Sequence, residues 1–318
     1  MEEKLVKIIN EMADYLNIAQ MKKLQEVLIK NLSDARPEKE QISNQEYLKM
    51  FIEAKQIEGC SARTLQYYQV TIEHLLKNID TVIRKITTDE IRTYLAEYQQ
   101  RNNCSKVTVD NVRRNISSFF SWLEEEDYIL KSPMRRIHKI KTKQPVKEII
   151  SDEMIERLRD NCRCSRDLAM IDLLYSTGIR VGELVGLNIS DIDFEERECV
   201  VYGKGDKERR VYFDAKAKLH LQNYINSRTD TNPALFVTLD SPYERLKISG
   251  VEIRVRELGR KLNIEKIHPH KFRRTMATRA IDKGMPIEQV QKILGHSQIG
   301  TTMQYAIVNQ NNVKTSHR

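Results

Sequence analysis

The sequence predicts a mainly α-helical chain with a small β-sheet, built as an all-helical part followed by a mixed α/β part. Three observations carry that prediction. Residues 42–130 place apolar side chains at helical spacing and show no alternating strand pattern. Beyond residue 149 the helical spacing continues, but two short runs, ECVVY and RRVYF, flank a Gly-Lys-Gly turn and read as a β-hairpin. A polar, proline-broken stretch, SDARPEKEQ, and a basic junction over 131–147 separate these parts from each other and from what precedes them.

Taken in order, residues 1–36 form an N-terminal helical extension, in which Leu5, Ile8, Ile9, Met12 and Leu16, then Met21, Leu24, Val27 and Leu28, recur at helical spacing. Residues 42–136 form a helical domain, with helices expected at 44–57, 61–77, 88–99 and 105–125 and with Ser61 and Thr64 as candidate caps of the second. Residues 137–148 read as a basic linker and 149–318 as the mixed domain. There the expected helices are 151–160, 165–176, 180–187, 214–227, 249–262, 270–283 and 287–294, with hairpin strands at 198–202 and 209–213 and a short strand at 235–238.

A chain of 318 residues has room for two domains of about 100–200 residues each. With no run of about 18 apolar residues, and no uninterrupted apolar core in MEEKLVKIINEM, a cytoplasmic protein with no membrane contact is expected. Five scattered cysteines, of which only Cys162 and Cys164 are close, offer no zinc spacing and read as reduced thiols. The net charge of +8 points to a polyanionic partner, nucleic acid first.

The chemistry-bearing residues of the last part are bland singly. TGIRVGEL puts Arg180 at a helix start after a Gly178 turn, with Glu183 on the same face; alone this is a surface ion pair. HPHKFRRT sets His270 and Arg273 three apart on a helix that Pro269 helps to start. LGHS puts His296 just past a helix end, where an imidazole can cap carbonyls. Lys204 sits at the hairpin tip. Together, two arginines, two histidines, a lysine and Tyr305 contain neither a carboxylate pair nor a metal-ligand cluster. Two guanidinium forks suit a phosphate and can stabilise a pentacoordinate phosphorus without a metal. Histidines can donate to the same oxygens, a lysine can protonate a leaving alkoxide, and a tyrosine can form a covalent phosphotyrosine. GKGDKER lacks the spacing of a nucleotide-binding phosphate loop, so neither nucleotide nor any other cofactor is expected.

TGIRVGELVGL, VYGKGDKERRVYF, HPHKFRRTMAT and LGHSQIGTTMQY, in this order and spacing, resemble the tyrosine site-specific recombinases, the phage-integrase and Xer-type enzymes. The resemblance covers 42–318. It implies an all-helical, SAM-like core-binding domain plus a mixed α/β catalytic domain, closing as a clamp on duplex DNA. It further implies Tyr305 as nucleophile, Arg180 and Arg273 as phosphate clamp, His270 and His296 completing the pocket, Lys204 as general acid and Glu183 as support. Arg274 stands where the family often has histidine, and Lys207 is a second hairpin lysine; Lys204 occupies the matching GKG position. The implied reaction passes through a 3′-phosphotyrosine and a Holliday junction, in a homotetramer on paired half-sites, with an accessory DNA-bending or directionality protein as a further possible partner. Integration, excision, inversion and dimer resolution remain open. The alternatives are a type IB topoisomerase, a catalytically idle architectural DNA binder and a plain helical interaction protein.

Candidate groove or phosphate contacts are Arg63, Tyr67, Lys106, Thr108, Arg113 and Arg114 on the helical domain, and Arg135, Arg136, Lys139, Lys141 and Lys143 at the junction; the alternative for each is a solvated face. The segment after Tyr305 resembles the family's C-terminal segment, which docks on a neighbouring protomer. Residues 1–33 balance five basic against five acidic residues, so that extension is expected to pack on the helical domain or on a neighbouring subunit rather than on DNA. The uncharged SQIGTTM stretch is expected to be a hinge that brings Tyr305 to the phosphate.

Overall fold

The computed structural model describes residues 8–13, 15–32, 42–142, 148–203, 208–264 and 266–306. The chain divides into two compact units, Met1–Lys143 and Gln144–Arg318.

In the first unit four helices, Asn44–Ile57, Ala62–Asn78, Thr88–Arg101 and Lys106–Glu125, enclose one core. Each starts on a hydroxyl cap that takes up an otherwise orphan N–H: Ser43, Ser61, Thr87 and Ser105. Ser43 and Thr87 add the reciprocal bond from Glu46 and Glu90. Ser61 is therefore the cap, and Thr64 supplies the N–H it accepts. The core is aromatic: Phe51 meets Phe119 edge-on at 5.2 Å, with Trp122 and Tyr68 on its other sides. Past a 3₁₀ turn at Pro133–Arg136, Ile137 and Ile140 pack against this same core, and the Ile140 amide donates to Asp110 at 3.0 Å. The start of the basic junction is thus part of the helical unit. Ahead of it, among the described residues, helix Ile18–Leu32 joins none of the hydrophobic clusters, and no described side chain over 8–13 and 15–28 is buried. Docking of the extension on the four helices is not seen among the described residues.

In the second unit helix Ser165–Thr177 runs through the core, packed by Ala215–Asn226 and Pro269–Asp282. Helices Asp152–Asp160, Val181–Gly186, Ile248–Lys261, Ile287–Leu294 and Ile299–Ala306 surround it. The sheet is antiparallel, β1 (Ile192–Asp193), β2 (Glu198–Tyr202) and β3 (Glu208–Tyr212), with Cys199 opposite Val211. Two expectations are corrected. Residues 235–238 make only one isolated bridge, Val237 with Arg245, beside a second at Ala234 with Asn188, and Leu235, Phe236 and Val237 are all buried. They read as a strand because they are an apolar run, but here they plug the core without a ladder partner. SQIGTTM is also no open hinge, because Ile299–Ala306 is helical and carries Tyr305. The buried Thr302 and the packing of Tyr305 on Ala277, Val290 and Leu294 outweigh the poor helix propensity of Gly300 and two threonines. Cys60, Cys104, Cys162, Cys164 and Cys199 are all free thiols.

Candidate active site

Two helix ends build the site. Helix Ser165–Thr177 stops at Gly178 and helix Ile287–Leu294 at Gly295, both with φ near +62°. Each leaves carbonyls without helical partners, at the negative end of its dipole. Those carbonyls are where the arginines go. Arg273, on Pro269–Asp282 and only 3% exposed, donates from Nη1 to the Gly178 carbonyl at 2.7 Å and from Nη2 to the Leu294 carbonyl. Arg180, the residue before Val181–Gly186, donates from Nη2 to the Gly295 carbonyl at 3.1 Å and from Nη1 to Glu183 at 2.8 Å. Burial and the nearby charge of Arg180 push Arg273 down to about 10, so it remains charged at neutral pH.

His296 follows Gly295 directly. Its Nε2 lies 3.0 Å from Arg273 Nη2 and its Nδ1 2.9 Å from the Thr302 hydroxyl. A guanidinium only donates, so Nε2 accepts and the ring proton sits on Nδ1, facing Thr302. Burial, then Arg273, Arg180 and Arg209, push this imidazole down to about 4. Tyr305 stacks on the same ring, with centroids 6.1 Å apart. His270, exposed on the first turn of its helix, makes no hydrogen bond among the described residues; partial burial, Arg273 and Arg180 lower its pKa. Arg274 turns away, donating to the Glu148 carbonyl at 3.1 Å.

Five of the seven predicted residues are linked directly or through the Gly295 turn, namely Arg180, Glu183, Arg273, His296 and Tyr305, and His270 feels the charges of Arg273 and Arg180. Lys204, with Lys207, lies outside the described residues. Two residues that sequence reasoning missed are Thr302, which orients His296, and Arg209. Arg209 donates through both Nη atoms to Glu183, at 2.7 and 2.6 Å, and through Nε to the Ile293 carbonyl at 2.9 Å. Burial opposes ionisation of Glu183, but Arg209 and Arg180 outweigh it and hold the carboxyl below its ordinary range. The available signal for Arg209 was strand alternation, since it shares a face with the buried Val211.

Of the candidate DNA contacts, Arg63, Tyr67, Lys106, Arg114, Arg136, Lys139 and Lys141 are exposed. Thr108 shares a 3.0 Å hydrogen bond with the cap Ser105. Arg113 is committed to Asp110 at 2.8 Å, and Arg135 to Glu124. Lys143 lies outside the described residues. No described helix is long and apolar enough to cross a membrane.

Residues 147–312 match the model of the phage integrase family, and residues 47–130 match the N-terminal SAM-like domain of phage integrases. Tyrosine recombinase XerC of Thermodesulfovibrio yellowstonii is 32% identical over 79% of this chain and 87% of its own. XerC of Oceanobacillus iheyensis is 29% identical over 85% and 94%. Among solved structures, the XerH site-specific recombinase in a post-cleavage complex with its palindromic difH substrate has a TM-score of 0.68 at 19% identity, over 86% of this chain and 84% of that one. The chain belongs to the phage integrase family: it is a tyrosine site-specific recombinase, an enzyme that breaks and rejoins DNA.

Proposed function

We propose that Tyr305 attacks a DNA phosphodiester to give a 3′-phosphotyrosine and a free 5′ hydroxyl. Arg180 and Arg273 hold the phosphate oxygens as negative charge grows on them, because rigid guanidinium donors stabilise the pentacoordinate state more than the ground state. His270 and His296 line the same pocket, Lys204 protonates the leaving 5′ oxygen, and Glu183 fixes Arg180. The observation that carries this reading is the convergence on His296: Arg273 bonds one side of its ring, Arg180 bonds the carbonyl just before it, and Tyr305 stacks against its face.

The 5′ hydroxyl then attacks the phosphotyrosine of a partner duplex, and two such rounds pass through a Holliday junction. This requires paired half-sites and four protomers in a cytoplasmic setting, with an accessory DNA-bending or directionality protein as a further partner. A hollow of about 630 Å³, partly lined by Met276, Ala280, Met285 and Ile293, supports docking of a neighbour's segment that follows Tyr305. The exposed cations of the helical unit and the junction are the proposed contacts to duplex phosphates.

The test is covalent trapping on a nicked suicide duplex. The native chain should become linked to the 3′ phosphate, whereas Tyr305→Phe should bind the duplex and leave it uncut. Equal adduct from both would end the assignment.

A further inference from the structure

Arg209 stands behind the phosphate pocket rather than in it, yet it is one of the most fully engaged cations of the second unit. Its side chain is 11% exposed, and three of its donors are taken by Glu183 and the Ile293 carbonyl. Two features make this more than a structural ion pair. First, Glu183 Oε1 accepts from both Arg209 and Arg180, so two guanidinium groups share one carboxylate. That triad keeps one net positive charge. A pair made of Arg180 and Glu183 alone would be neutral, and the field it offers a phosphate correspondingly weak. Second, the Arg209 side chain lies flat against the turn that presents His296. A Cβ on Gly295 would come within 3.0 Å of Arg209 Cδ and 3.1 Å of its Nε. One side chain on β3 thus fixes both the first arginine and the turn that carries the second histidine.

We propose that Arg209 is a positioning residue for strand cleavage: it balances Glu183, so that the charge of Arg180 is left for the phosphate, and it braces the Gly295–His296 turn through the Ile293 carbonyl. The inference rests on the recombinase reading. Because β3 pairs with β2, the same contacts join this sheet and the pocket into one piece. Lysine at this position would keep the charge but lose the two-pronged grip, since an ammonium is a point donor.

Single-turnover cleavage of the suicide duplex at saturating DNA separates the possibilities. Arg209→Gln is expected to slow cleavage by about 10-fold to 100-fold, the scale for partners that orient a reactive group, with little change in the Kd for duplex. Arg209→Lys should fall between. In a cycle with Glu183→Gln the rate losses should not add, because Arg209 acts through that carboxylate; a purely structural role would lower Tm and leave the cleavage rate of the folded fraction native. Native rates in Arg209→Gln, or additive losses, overturn the proposal and leave the recombinase reading standing. If Arg209→Gln fails to fold, native rates in a folded Arg209→Lys overturn it equally. No adduct from the native chain would instead overturn the recombinase reading itself, and this inference with it.

Discussion

In the helical unit arginines mostly sit outside, and several pair within their own helix, as Arg92 does with Asp89 and Arg101 with Glu97, around a core with aromatic rings at its centre. In the second unit Arg273 and Arg209 are buried or nearly so, and most of their partners come from distant segments, the Gly178, Leu294 and Ile293 carbonyls and Glu183; the buried Arg166 pairs with its neighbour Asp167 and also reaches the distant Val237 carbonyl. The first arrangement can lose a charge without losing its fold. The second uses charge as packing, because a buried guanidinium is tolerable only where fixed acceptors replace its water. Helix C-termini supply those acceptors cheaply, and in the proposed reaction the same rigidity would aim the arginines at the phosphate.

The largest test of that contrast compares Arg273 with Phe51. Arg273→Gln should cut cleavage by ~10²–10³, as loss of one transition-state donor does. It should also destabilise its unit by about 1–3 kcal/mol for each acceptor left unsatisfied. Phe51→Ala, at a side chain with no exposed surface, should cost about 3–5 kcal/mol of stability in the helical unit. The fraction that stays folded should still cut DNA at the native rate. Denaturant melts beside suicide-substrate rates decide it. A fold-neutral, active Arg273→Gln would mean that the buried guanidinium is ornamental.

Two glycines sharpen the same comparison. Gly59 in the helical unit and Gly295 at the pocket both have positive φ, +84° and +62°. Alanine in that region costs roughly 1–2 kcal/mol wherever it is placed. Around Gly59 nothing lies within 4 Å of an added Cβ, so Gly59→Ala should lower Tm and nothing else. Around Gly295 the added Cβ meets the Arg209 side chain, so Gly295→Ala should show a similar stability loss and, in addition, a several-fold drop in cleavage rate. If both variants cut at the native rate, the turn does not set the position of His296.

How much of this was legible in the sequence follows from the same physics. The four helices of the first unit were readable because their stabilisation is local and periodic: an apolar face and a hydroxyl cap each. Arg180, Arg273 and His296 could be placed at a helix start, on a helix face and past a helix end, because Gly178, Pro269 and Gly295 punctuate those points. What the sequence hid is what depends on a partner far along the chain. Leu235, Phe236 and Val237 look like a strand until the absence of a neighbouring ladder is known. SQIGTTM looks like a hinge until Thr302 finds His296 and Tyr305 finds its apolar bed. Arg209 looks like one more hairpin cation until its carboxylate, 26 residues away, is seen.

The smallest effect concerns neighbouring arginines on helix Lys106–Glu125, both of them candidate DNA contacts. Arg114 is exposed, with only a bond to Asn111 in its own helix turn. Arg113 is 12% exposed, and its partner Asp110 also accepts the Ile140 amide, so that ion pair ties the basic junction to the helical unit. If Arg114 neutralises a phosphate, Arg114→Gln should weaken duplex binding uniformly across sequences and lower the salt slope of log K by about 1. Arg113→Gln should leave that slope alone and instead loosen residues 137–142, which amide hydrogen exchange would register at Ile140. Fluorescence anisotropy titrations across a salt series separate the two. A slope that falls for Arg113→Gln and not for Arg114→Gln would mean that DNA breaks the Asp110 pair on binding, and that the helical unit, too, builds a charge into its fold only to hand it to the substrate.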